Sequence, residues 1–307
     1  MSIKIKNLTK VYGRQKALDD ISFEIAEGEI VGFLGPNGAG KTTTMKVATC
    51  YLPPTLGTAE VMGYNVVDKP LEVRKNVGYL PENNPLYTEM YLHEYLNFTG
   101  RLYGLKGKAL NMRIGEMVEL CGLGREQNKK VEELSKGYRQ RLGLAQSLIH
   151  NPRVLILDEP TTGLDPNQLV EIRKLILDVS QNKTVIFSTH IMQEVEALCS
   201  RVIVINKGRI VADGPIADLK SKIDHGFILA EFEREIDIRL LEGIDEVESV
   251  ILTTGNKYKL RVKGATDIRN KIFTLAATHH LPLIGLVVEK GSLEGVFREL
   301  TQIQTDD

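Results

Sequence analysis

The stretch Gly35-Pro36-Asn37-Gly38-Ala39-Gly40-Lys41-Thr42 decides the fold, because it fits the pattern G-x-x-x-x-G-K-[ST] of a phosphate-binding loop. The apolar run Ile30–Leu34 before it predicts a short buried strand, and residues 43–48 after it suit a helix. Glycines let the backbone curl so that its N–H groups point inward, and the helix N-terminus adds the positive end of its dipole. The sequence therefore predicts a phosphate cradle, with Lys41 on the β- and γ-phosphates and the Thr42 hydroxyl on Mg²⁺.

Overall composition limits the classes of function. The chain has 307 residues, enough for two domains, and its 39 Lys and Arg against 40 Asp and Glu leave a net charge of −1. This balance offers no general attraction to nucleic acid or anionic lipid, and the absence of Trp disfavours surfaces that stack on bases. The three cysteines lie far apart, which predicts reduced residues of a cytoplasmic protein rather than a disulfide or a metal site.

The hydropathy pattern gives no sign of a membrane-spanning segment. No apolar run approaches the roughly 18 residues that a transmembrane helix needs, and the first residues alternate like a strand. We therefore expect neither a signal peptide nor a transmembrane helix, so that any action on a membrane passes through a partner.

The first 220 residues alternate between strand and helix patterns. Two segments, 3–8 and 21–25, predict antiparallel strands before the phosphate loop. Apolar residues recur at helical spacing between about 88 and 150, which predicts an all-helical insert. The alternation over residues 30–205 predicts a mostly parallel sheet with right-handed crossovers. The other expected strands are 58–62, 77–80, 154–157, 184–189, 201–205 and 209–212, and the expected helices among the later ones are 168–179 and 192–198.

A second, smaller domain is expected from 221 to 307, because the composition shifts near residue 220. Its predicted order is strand, helix, strand, strand, helix, strand, which is the ferredoxin-like α+β arrangement, followed by a helix at 293–300. Two interpretations stay open: a folded appendage without a ligand site, or a domain that regulates or strengthens a dimer. The six expected elements are 228–232, 235–241, 247–253, 258–262, 267–278 and 283–288.

Two carboxylates follow the wholly apolar predicted strand 154–157. Asp158 at its tip is a candidate to hold Mg²⁺, directly or through water. Glu159 is expected to point the other way and is a candidate to polarise an attacking water. The plainer interpretation is a paired-carboxylate turn after a core strand.

Further motifs occur in order along the chain. Tyr12 lies in the turn after the first predicted strand, Leu134-Ser135-Lys136-Gly137-Tyr138 opens a helix, and Gly163-Leu164-Asp165 follows the carboxylates. His190 directly follows a predicted strand. Together with the phosphate loop, these motifs cover about residues 3–218 and make the chain resemble the ATPase subunits of ATP-binding-cassette (ABC) transporters.

The resemblance implies a role for each motif. Tyr12 would stack on adenine, unless it is a core tyrosine at a strand end. His190 would contact the γ-phosphate and detect its loss, unless it only caps the strand. Ser135 and Gly137 of the signature would serve the nucleotide of the opposite subunit, since the helix end after Ser135 offers backbone N–H groups to a γ-phosphate. Asp165 would lie at the seam between two C₂-related chains and couple their sites.

Three positions depart from the family pattern: Glu82, Lys136, and Tyr138, which stands where the common signature ends in Gln. Glu82, in Tyr79-Leu80-Pro81-Glu82, stands where the family usually has Gln, and it is either a Mg²⁺ ligand or a solvated turn residue. Lys136 replaces a glycine of the common signature LSGGQ and adds positive charge near the phosphates. This form resembles subunits of export-type bacterial systems that pair with a separate permease.

The expected site residues form three groups. Those expected to act in hydrolysis are Lys41, Glu159 and His190, and those expected to hold Mg²⁺ are Thr42, Glu82 and Asp158. Those expected to bind ATP are Tyr12, Gly35, Pro36, Asn37, Gly38, Ala39, Gly40, Lys41, Thr42, Thr43, Ser135, Gly137 and Asp165.

The resemblance also implies a fold and a cellular role. The fold would be an α/β P-loop NTPase core with a helical insert and an antiparallel β subdomain. The subunit would be cytoplasmic and peripheral on the inner face of the cell membrane, hydrolysing Mg-ATP as a head-to-tail homodimer or beside a closely related subunit. It would drive a separate transmembrane permease, in the export direction, without a nucleic-acid partner. An alternative is an ABC-type ATPase that transmits force to cell-envelope machinery without transport.

Three other classes of P-loop protein are disfavoured. DNA-repair ABC proteins need a long coiled coil between loop and signature, and the spacing from Lys41 to Ser135 leaves no room for one. Translation ABC proteins usually carry two cassettes, and this chain carries one. A GTPase needs an aspartate that reads guanine, which the stretch Asn206-Lys207-Gly208-Arg209 lacks.

Overall fold

The computed structural model of the chain describes residues 1–222, 227–253, 255–263, 267–289, 294–295 and 297. The chain divides into two compact units, Met1–Gly214 and Pro215–Asp307. The domain boundary expected after residue 220 stays a prediction, since 223–226 lie outside the described residues.

The elements up to residue 222 alternate between strands and helices. The strands are β1 (Ile3–Tyr12), β2 (Gln15–Ile25), β3 (Ile30–Leu34), β4 (Leu56–Val61), β5 (Tyr64–Asn65), β6 (Val77–Leu80), β7 (Val154–Asp158), β8 (Thr184–Thr189), β9 (Arg201–Asn206) and β10 (Arg209–Pro215). The helices are α1 (Lys41–Ala48), α2 (Pro70–Asn76), α3 (Leu92–Leu102), α4 (Gly107–Leu120), α5 (Lys136–Leu148), α6 (Pro166–Ser180), α7 (Met192–Leu198) and α8 (Ile216–Lys222).

A six-stranded sheet in the order β10-β9-β3-β8-β7-β6 carries the motifs that the sequence singled out. β3 pairs in parallel with β8 and β9, and β7 pairs in parallel with β6 and β8. Every residue of β7 and β8 is buried, as strands covered on both faces require. Because parallel strands end at a common edge, the phosphate loop, Asp158 and His190 all start from that edge.

A separate antiparallel sheet has the order β2-β1-β4-β5. β1 and β2 run well beyond the predicted segments 3–8 and 21–25. Their pairing shifts register near Leu8, and two residues beside the shift, Asn7 and Asp20, have positive φ values of 48° and 55°. These bulges interrupt the apolar alternation, so the sequence pattern ends before the strands do.

The expected helical insert consists of α3, α4 and α5. Its first two helices, α3 and α4, separate around Gly104 (φ 84°) and Gly107 (φ 56°). On α3, the buried residues Leu92, Tyr95 and Leu96 repeat at helical spacing and face the other helices of the insert.

The second unit follows the order β11 (Phe227–Phe232), α9 (Ile238–Glu242), β12 (Val247–Leu252), β13 (Lys257–Val262), α10 (Arg269–Thr278) and β14 (Leu283–Glu289). Its strands form an antiparallel sheet in the order β12-β13-β11-β14 over its own apolar core. α9 starts later than predicted, because Asp237 caps it by accepting from the Arg239 N–H at 3.0 Å. The ferredoxin-like assignment stays a prediction, and the helix expected at 293–300 falls largely outside the described residues.

Among the described residues, no helix combines the length and apolar character that a membrane span requires.

Candidate functional site

The phosphate loop between β3 and α1 is a tight backbone turn. Gly38 and Gly40 have φ values of 79° and 112°, which side-chain-bearing residues rarely adopt. A Cβ atom on Gly40 would lie 2.7 Å from Leu18 Cδ2, and one on Gly35 would lie 2.5 Å from the Ile205 carbonyl oxygen. Backbone conformation therefore favours glycine at position 38, space requires it at position 35, and both reasons apply at position 40.

Lys41, the first residue of α1, is buried and folds its side chain back over the loop. Its Nζ donates to the carbonyl oxygens of Gly35 at 2.7 Å and Pro36 at 3.2 Å. The same Nζ lies 3.3 Å from Glu159 Oε1, and both side chains are nearly solvent-free at 6% and 7% exposure. The ammonium group thus sits at the centre of the loop, where an anionic ligand would reach it.

A cavity of about 330 Å³ opens over the loop. The sequence-predicted residues that line it are Asn37, Gly38, Gly40, Lys41, Thr42, Thr43, Glu82, Glu159 and His190. Ala17 and Thr162 complete its lining. The structure therefore brings the loop, the Glu82 position, the second carboxylate and the histidine to one place.

Asp158 ends β7 and is fully buried. Its Oδ1 accepts from Ser188 Oγ at 2.5 Å, whereas its Oδ2 is buried without a hydrogen-bond partner among the described residues. Burial raises the pKa of Asp158 and the nearby charge of Glu159 adds to the rise, while the hydroxyl groups of Ser188 and Thr42 oppose it. An unpartnered carboxylate oxygen beside a threonine hydroxyl is a suitable place for a cation.

Glu159 leaves the strand in a left-handed conformation, with φ at 48°, which is uncommon for a residue with a side chain. Its N–H donates to Ser188, to the carbonyl oxygen at 3.2 Å and to Oγ at 3.0 Å. Its carboxylate lies between Lys41 and His190, with His190 Nδ1 at 2.9 Å from Oε2. Thr162 Oγ1 donates to the same oxygen at 3.2 Å. Backbone strain that the surrounding contacts maintain is typical of functional sites.

Glu82 is exposed on the segment after β6 and lines the cavity. No group of three or more His, Cys, Asp or Glu residues that could by itself hold a metal ion occurs in the described part of the chain. Glu82 and Thr42 both line the cavity and carry oxygen donors of the kind that Mg²⁺ prefers.

Four predicted residues outside the loop are not among the described residues that line the cavity: Tyr12, Ser135, Gly137 and Asp165. Tyr12 ends β1 with 44% of its surface exposed, and its ring lies 5.4 Å from Lys10 Nζ. Ser135 caps α5 by accepting from the Tyr138 N–H at 3.4 Å. Asp165 caps α6 by accepting from the two following N–H groups at 3.0 and 2.9 Å.

Gly137 is buried in the first turn of α5, and a Cβ atom there would lie 2.8 Å from the Gln168 side chain on α6. The starts of the two helices therefore pack closely. The nucleotide roles of Tyr12, Ser135, Gly137 and Asp165 stay predictions.

Three side chains around the cavity escaped the sequence reasoning. Ser188, Thr162 and Ala17 contact or line the site, although none belongs to the motifs that were considered. A serine directly after the apolar run 185–187 of β8 was the available signal for Ser188. Thr162 and Ala17 carry no such local signal.

A parallel sheet whose carboxyl edge carries a phosphate loop, a carboxylate pair and a histidine defines a nucleoside-triphosphate-binding protein of the P-loop class. Comparison with known proteins refines this class. The family described as ABC transporter matches residues 18–162.

Two curated relatives come from Bacillus. The linearmycin resistance ATP-binding protein LnrL of Bacillus subtilis (strain 168) is 32% identical over 97% of this chain and 98% of its own length. The bacitracin transport ATP-binding protein BcrA of Bacillus licheniformis is 36% identical over 87% of this chain and 91% of its own length.

A solved structure, the dimeric post-hydrolysis state of the ATP-binding cassette MJ0796 bound to ADP and Pi, covers 70% of this chain and 98% of its own. Its TM-score is 0.65, with 26% sequence identity. The chain belongs to the ABC transporter family and is an ATP-binding ATPase subunit. This confirms the resemblance and the expected α/β ABC ATPase core.

Proposed function

We propose that the chain hydrolyses Mg-ATP as a head-to-tail homodimer and thereby drives a separate transmembrane permease, in the export direction, from the inner face of the membrane. The observation that carries the proposal is the composition of the cavity. The phosphate loop, Glu159 and His190 line it, whereas the signature residue Ser135 does not in the described part of the chain. The names of the relatives in bacitracin transport and linearmycin resistance support a transport role.

The phosphate loop and Lys41 bind the triphosphate. The Lys41 ammonium group pairs with the Glu159 carboxylate in a nearly solvent-free contact. A γ-phosphate carries more negative charge and competes for the same ammonium group, so ATP binding frees the carboxylate of Glu159. Binding thereby prepares the group that acts in the next step.

The residues around Asp158 fit a magnesium ion. Asp158 Oδ2 is buried and unpartnered among the described residues, and the Thr42 hydroxyl opposes the rise of the Asp158 pKa. Thr42 and Glu82 both line the cavity. Oxygen donors of this kind are those that Mg²⁺ prefers. When bound, Mg²⁺ would neutralise charge on the phosphate oxygens.

Glu159 orients the attacking water. Its carboxylate accepts a proton from the water while the water oxygen bonds to the γ-phosphorus and the bond to the bridging oxygen breaks in line. His190 Nδ1, at 2.9 Å, holds this carboxylate in place and reaches the γ-phosphate from the same cavity. Lys41 stabilises the negative charge of the transferring group.

Mixing two inactive variants tests the head-to-tail arrangement. Lys41→Ala removes the phosphate contact, and Ser135→Arg blocks the exposed start of α5. If each site uses Lys41 of one chain and Ser135 of the other, the mixed dimer keeps one intact site. We therefore expect hydrolysis to reappear on mixing the two purified variants.

The matched control places both substitutions in one chain and mixes it with the wild type. In a shared-site dimer, this mixed dimer has no intact site, so excess double variant suppresses wild-type hydrolysis. If one chain forms a complete site, the two single variants stay inactive together and the double variant suppresses nothing. That pair of results would refute the proposal.

Co-purification tests the membrane partner. The tagged chain, isolated from detergent-solubilised membranes of its own cell, is expected to retain a membrane protein with several predicted transmembrane helices. Its ATPase rate is expected to change when that partner is removed. Recovery of ribosomes or DNA instead of a membrane protein would contradict the permease assignment.

A further inference from the structure

Glu194 on α7 is a fully buried carboxylate that the proposed mechanism does not use. Its side chain is 0% exposed, and its helix neighbours Val195 and Leu198 are buried apolar residues. An ionisable group in such surroundings is costly unless hydrogen bonds and opposite charge compensate it. Glu194 is not among the described residues that line the nucleotide cavity.

Two threonine hydroxyls donate to the same carboxylate oxygen of Glu194. Thr161 Oγ1 lies 2.7 Å and Thr189 Oγ1 lies 3.0 Å from Glu194 Oε2. Both threonines are buried, and Thr189 Oγ1 also accepts from the Ile191 N–H at 3.0 Å. One oxygen atom therefore joins the loop after β7 to the end of β8.

The positions of these threonines connect Glu194 to the reacting groups. Thr161 lies two residues after Glu159, and Thr189 directly precedes His190. Glu159 and His190 are themselves in contact at 2.9 Å. A common acceptor for both threonines limits how far the two segments can slide past each other, so it holds the Glu159 carboxylate and the His190 imidazole in register.

The other oxygen of the Glu194 carboxylate faces α6. Arg173 Nη2 lies 3.8 Å from Glu194 Oε1, and this oxygen and Arg173 Nε are both without a hydrogen-bond partner among the described residues. α6 begins at its cap, Asp165. The charge pair therefore extends the connection from the ends of β7 and β8 to the helix that follows Asp165.

We propose that Glu194 is a positioning residue for ATP hydrolysis, which holds the Glu159 loop and His190 in one arrangement through Thr161 and Thr189. The inference rests on the proposed function, because it requires Glu159 to orient the attacking water. Displacing a reacting group by about 1 Å costs up to about 10²-fold in rate, so a link of this kind has a measurable effect on turnover.

Turnover and ATP affinity of two Glu194 variants test the proposal. Glu194→Ala removes both threonine contacts, and we expect kcat to fall about ten- to a hundred-fold while KM for ATP stays within about twofold. Glu194→Gln keeps an amide oxygen for both hydroxyls, and we expect kcat within about threefold of the wild type. Glu196→Gln, at an exposed position on the same helix, is the matched control with unchanged kcat.

Two threonine variants test the same link without deleting a buried charge. Thr161→Val and Thr189→Val preserve side-chain shape and each remove one hydroxyl. We expect each to lower kcat by about threefold or more, and we expect Thr161→Val to have no further effect in a Glu194→Ala background, where its partner is already missing. Losses that simply add, or a rise in KM that matches the fall in kcat, would overturn the positioning role.

Glu159→Gln separates failure of this inference from failure of the proposed function. Wild-type hydrolysis by Glu159→Gln would remove the water-orienting role of Glu159, and the inference with it. If Glu159→Gln is inactive but Glu194→Ala and both threonine variants turn over at the wild-type rate, only the positioning role of Glu194 is refuted.

Discussion

The N-termini of α1 and α5 are both candidates to bind phosphate, yet their first residues are capped differently. α1 begins after Gly40, which is left-handed and provides no side-chain cap, so the first N–H groups of the helix are open toward the cavity. α5 begins after Ser135 in extended conformation, and the Ser135 hydroxyl already accepts from the Tyr138 N–H. The first helix end has no side-chain cap at all, whereas at the second the Ser135 hydroxyl satisfies one of the first N–H groups, that of Tyr138.

The two helix ends also differ in the catalytic groups that surround them. The α1 end is surrounded by strand ends that supply Asp158, Glu159 and His190, so its chemistry is complete up to the phosphates. In the proposed dimer, the α5 end would serve a nucleotide held by the cavity of the opposite chain. Substitutions at the two ends should therefore affect turnover, binding and stability in different proportions.

The largest effect is expected beside α1, from Glu159→Gln. The amide keeps the contact with His190 but does not accept a proton, so kcat should fall by about 10²–10⁴-fold. ATP binding and ATP-dependent dimerisation should persist, measured by nucleotide titration and light scattering. Glu171→Gln, on the exposed face of α6, is the control. Equal losses of ATP binding and turnover would show that Glu159 serves binding rather than hydrolysis.

Lys41→Ala should come next, because it removes the only charge that the loop itself carries. Hydrolysis should fall by about 10²–10³-fold, with a clear loss of ATP affinity. Lys46→Ala, in the last turn of the same helix, should leave both quantities nearly unchanged. Retention of ATP affinity in Lys41→Ala would contradict the assignment of α1 as the main phosphate-binding end.

A smaller effect is expected at α5, where two Ser135 variants separate capping from nucleotide contact. Ser135→Ala loses the cap and about 1 kcal/mol of stability, whereas Ser135→Asp keeps an efficient cap and adds a negative charge. We expect both to bind ATP as monomers like the wild type, and Ser135→Asp to lose more hydrolysis despite its better stability. The reverse order, measured by melting and steady-state ATPase assays, would limit Ser135 to a structural role.

The smallest effect is expected on stability, from Asp158→Asn. Burial raises the pKa of Asp158, so the protonated carboxyl group favours the folded state. This contribution to the free energy of unfolding is fully present below pH 3.8, the ordinary pKa, and is lost as the pH rises through the pKa of the folded state. The amide stays neutral, so the melting temperature should rise by a few degrees at neutral pH and by less near pH 3.8.

Asp178→Asn, at an exposed position on α6, is the control for that shift. The difference in melting temperature between Asp158→Asn and the wild type could instead be the same at every pH. That result would show that contacts in the folded chain already compensate the charge of the ionised Asp158.

For several elements, the sequence patterns predict the first and the last residue correctly. β3, β6, β8 and α7 begin and end where the patterns predict. Each is a short apolar run or an amphipathic turn bounded by glycine or polar residues, so the signal is local. β1 and β2 could not be bounded in this way, because their bulges at Asn7 and Asp20 depend on pairing between strands.

The candidate site shows the same division. The phosphate loop, Asp158, Glu159 and His190 were predictable, since each follows directly from a contiguous motif. Ser188 and Glu194 were not, because their partners lie about thirty residues away along the chain or on another element, and hydrogen bonds of that kind leave no periodic pattern. The individual roles of the motif residues stay predictions that the variants above test.

The phosphate loop is predictable from the sequence alone, because glycine conformation and lysine charge act over eight consecutive residues. The family is predictable as well, because its further motifs follow in order over about residues 3–218. The side chains that contact the loop could be identified only from the tertiary structure. The parallel register of β7 against β8 sets Asp158 beside Ser188 and carries Glu159 to His190. The physical reason is that strand register is fixed by packing between distant segments, and a shift of one residue would turn every side chain to the other face.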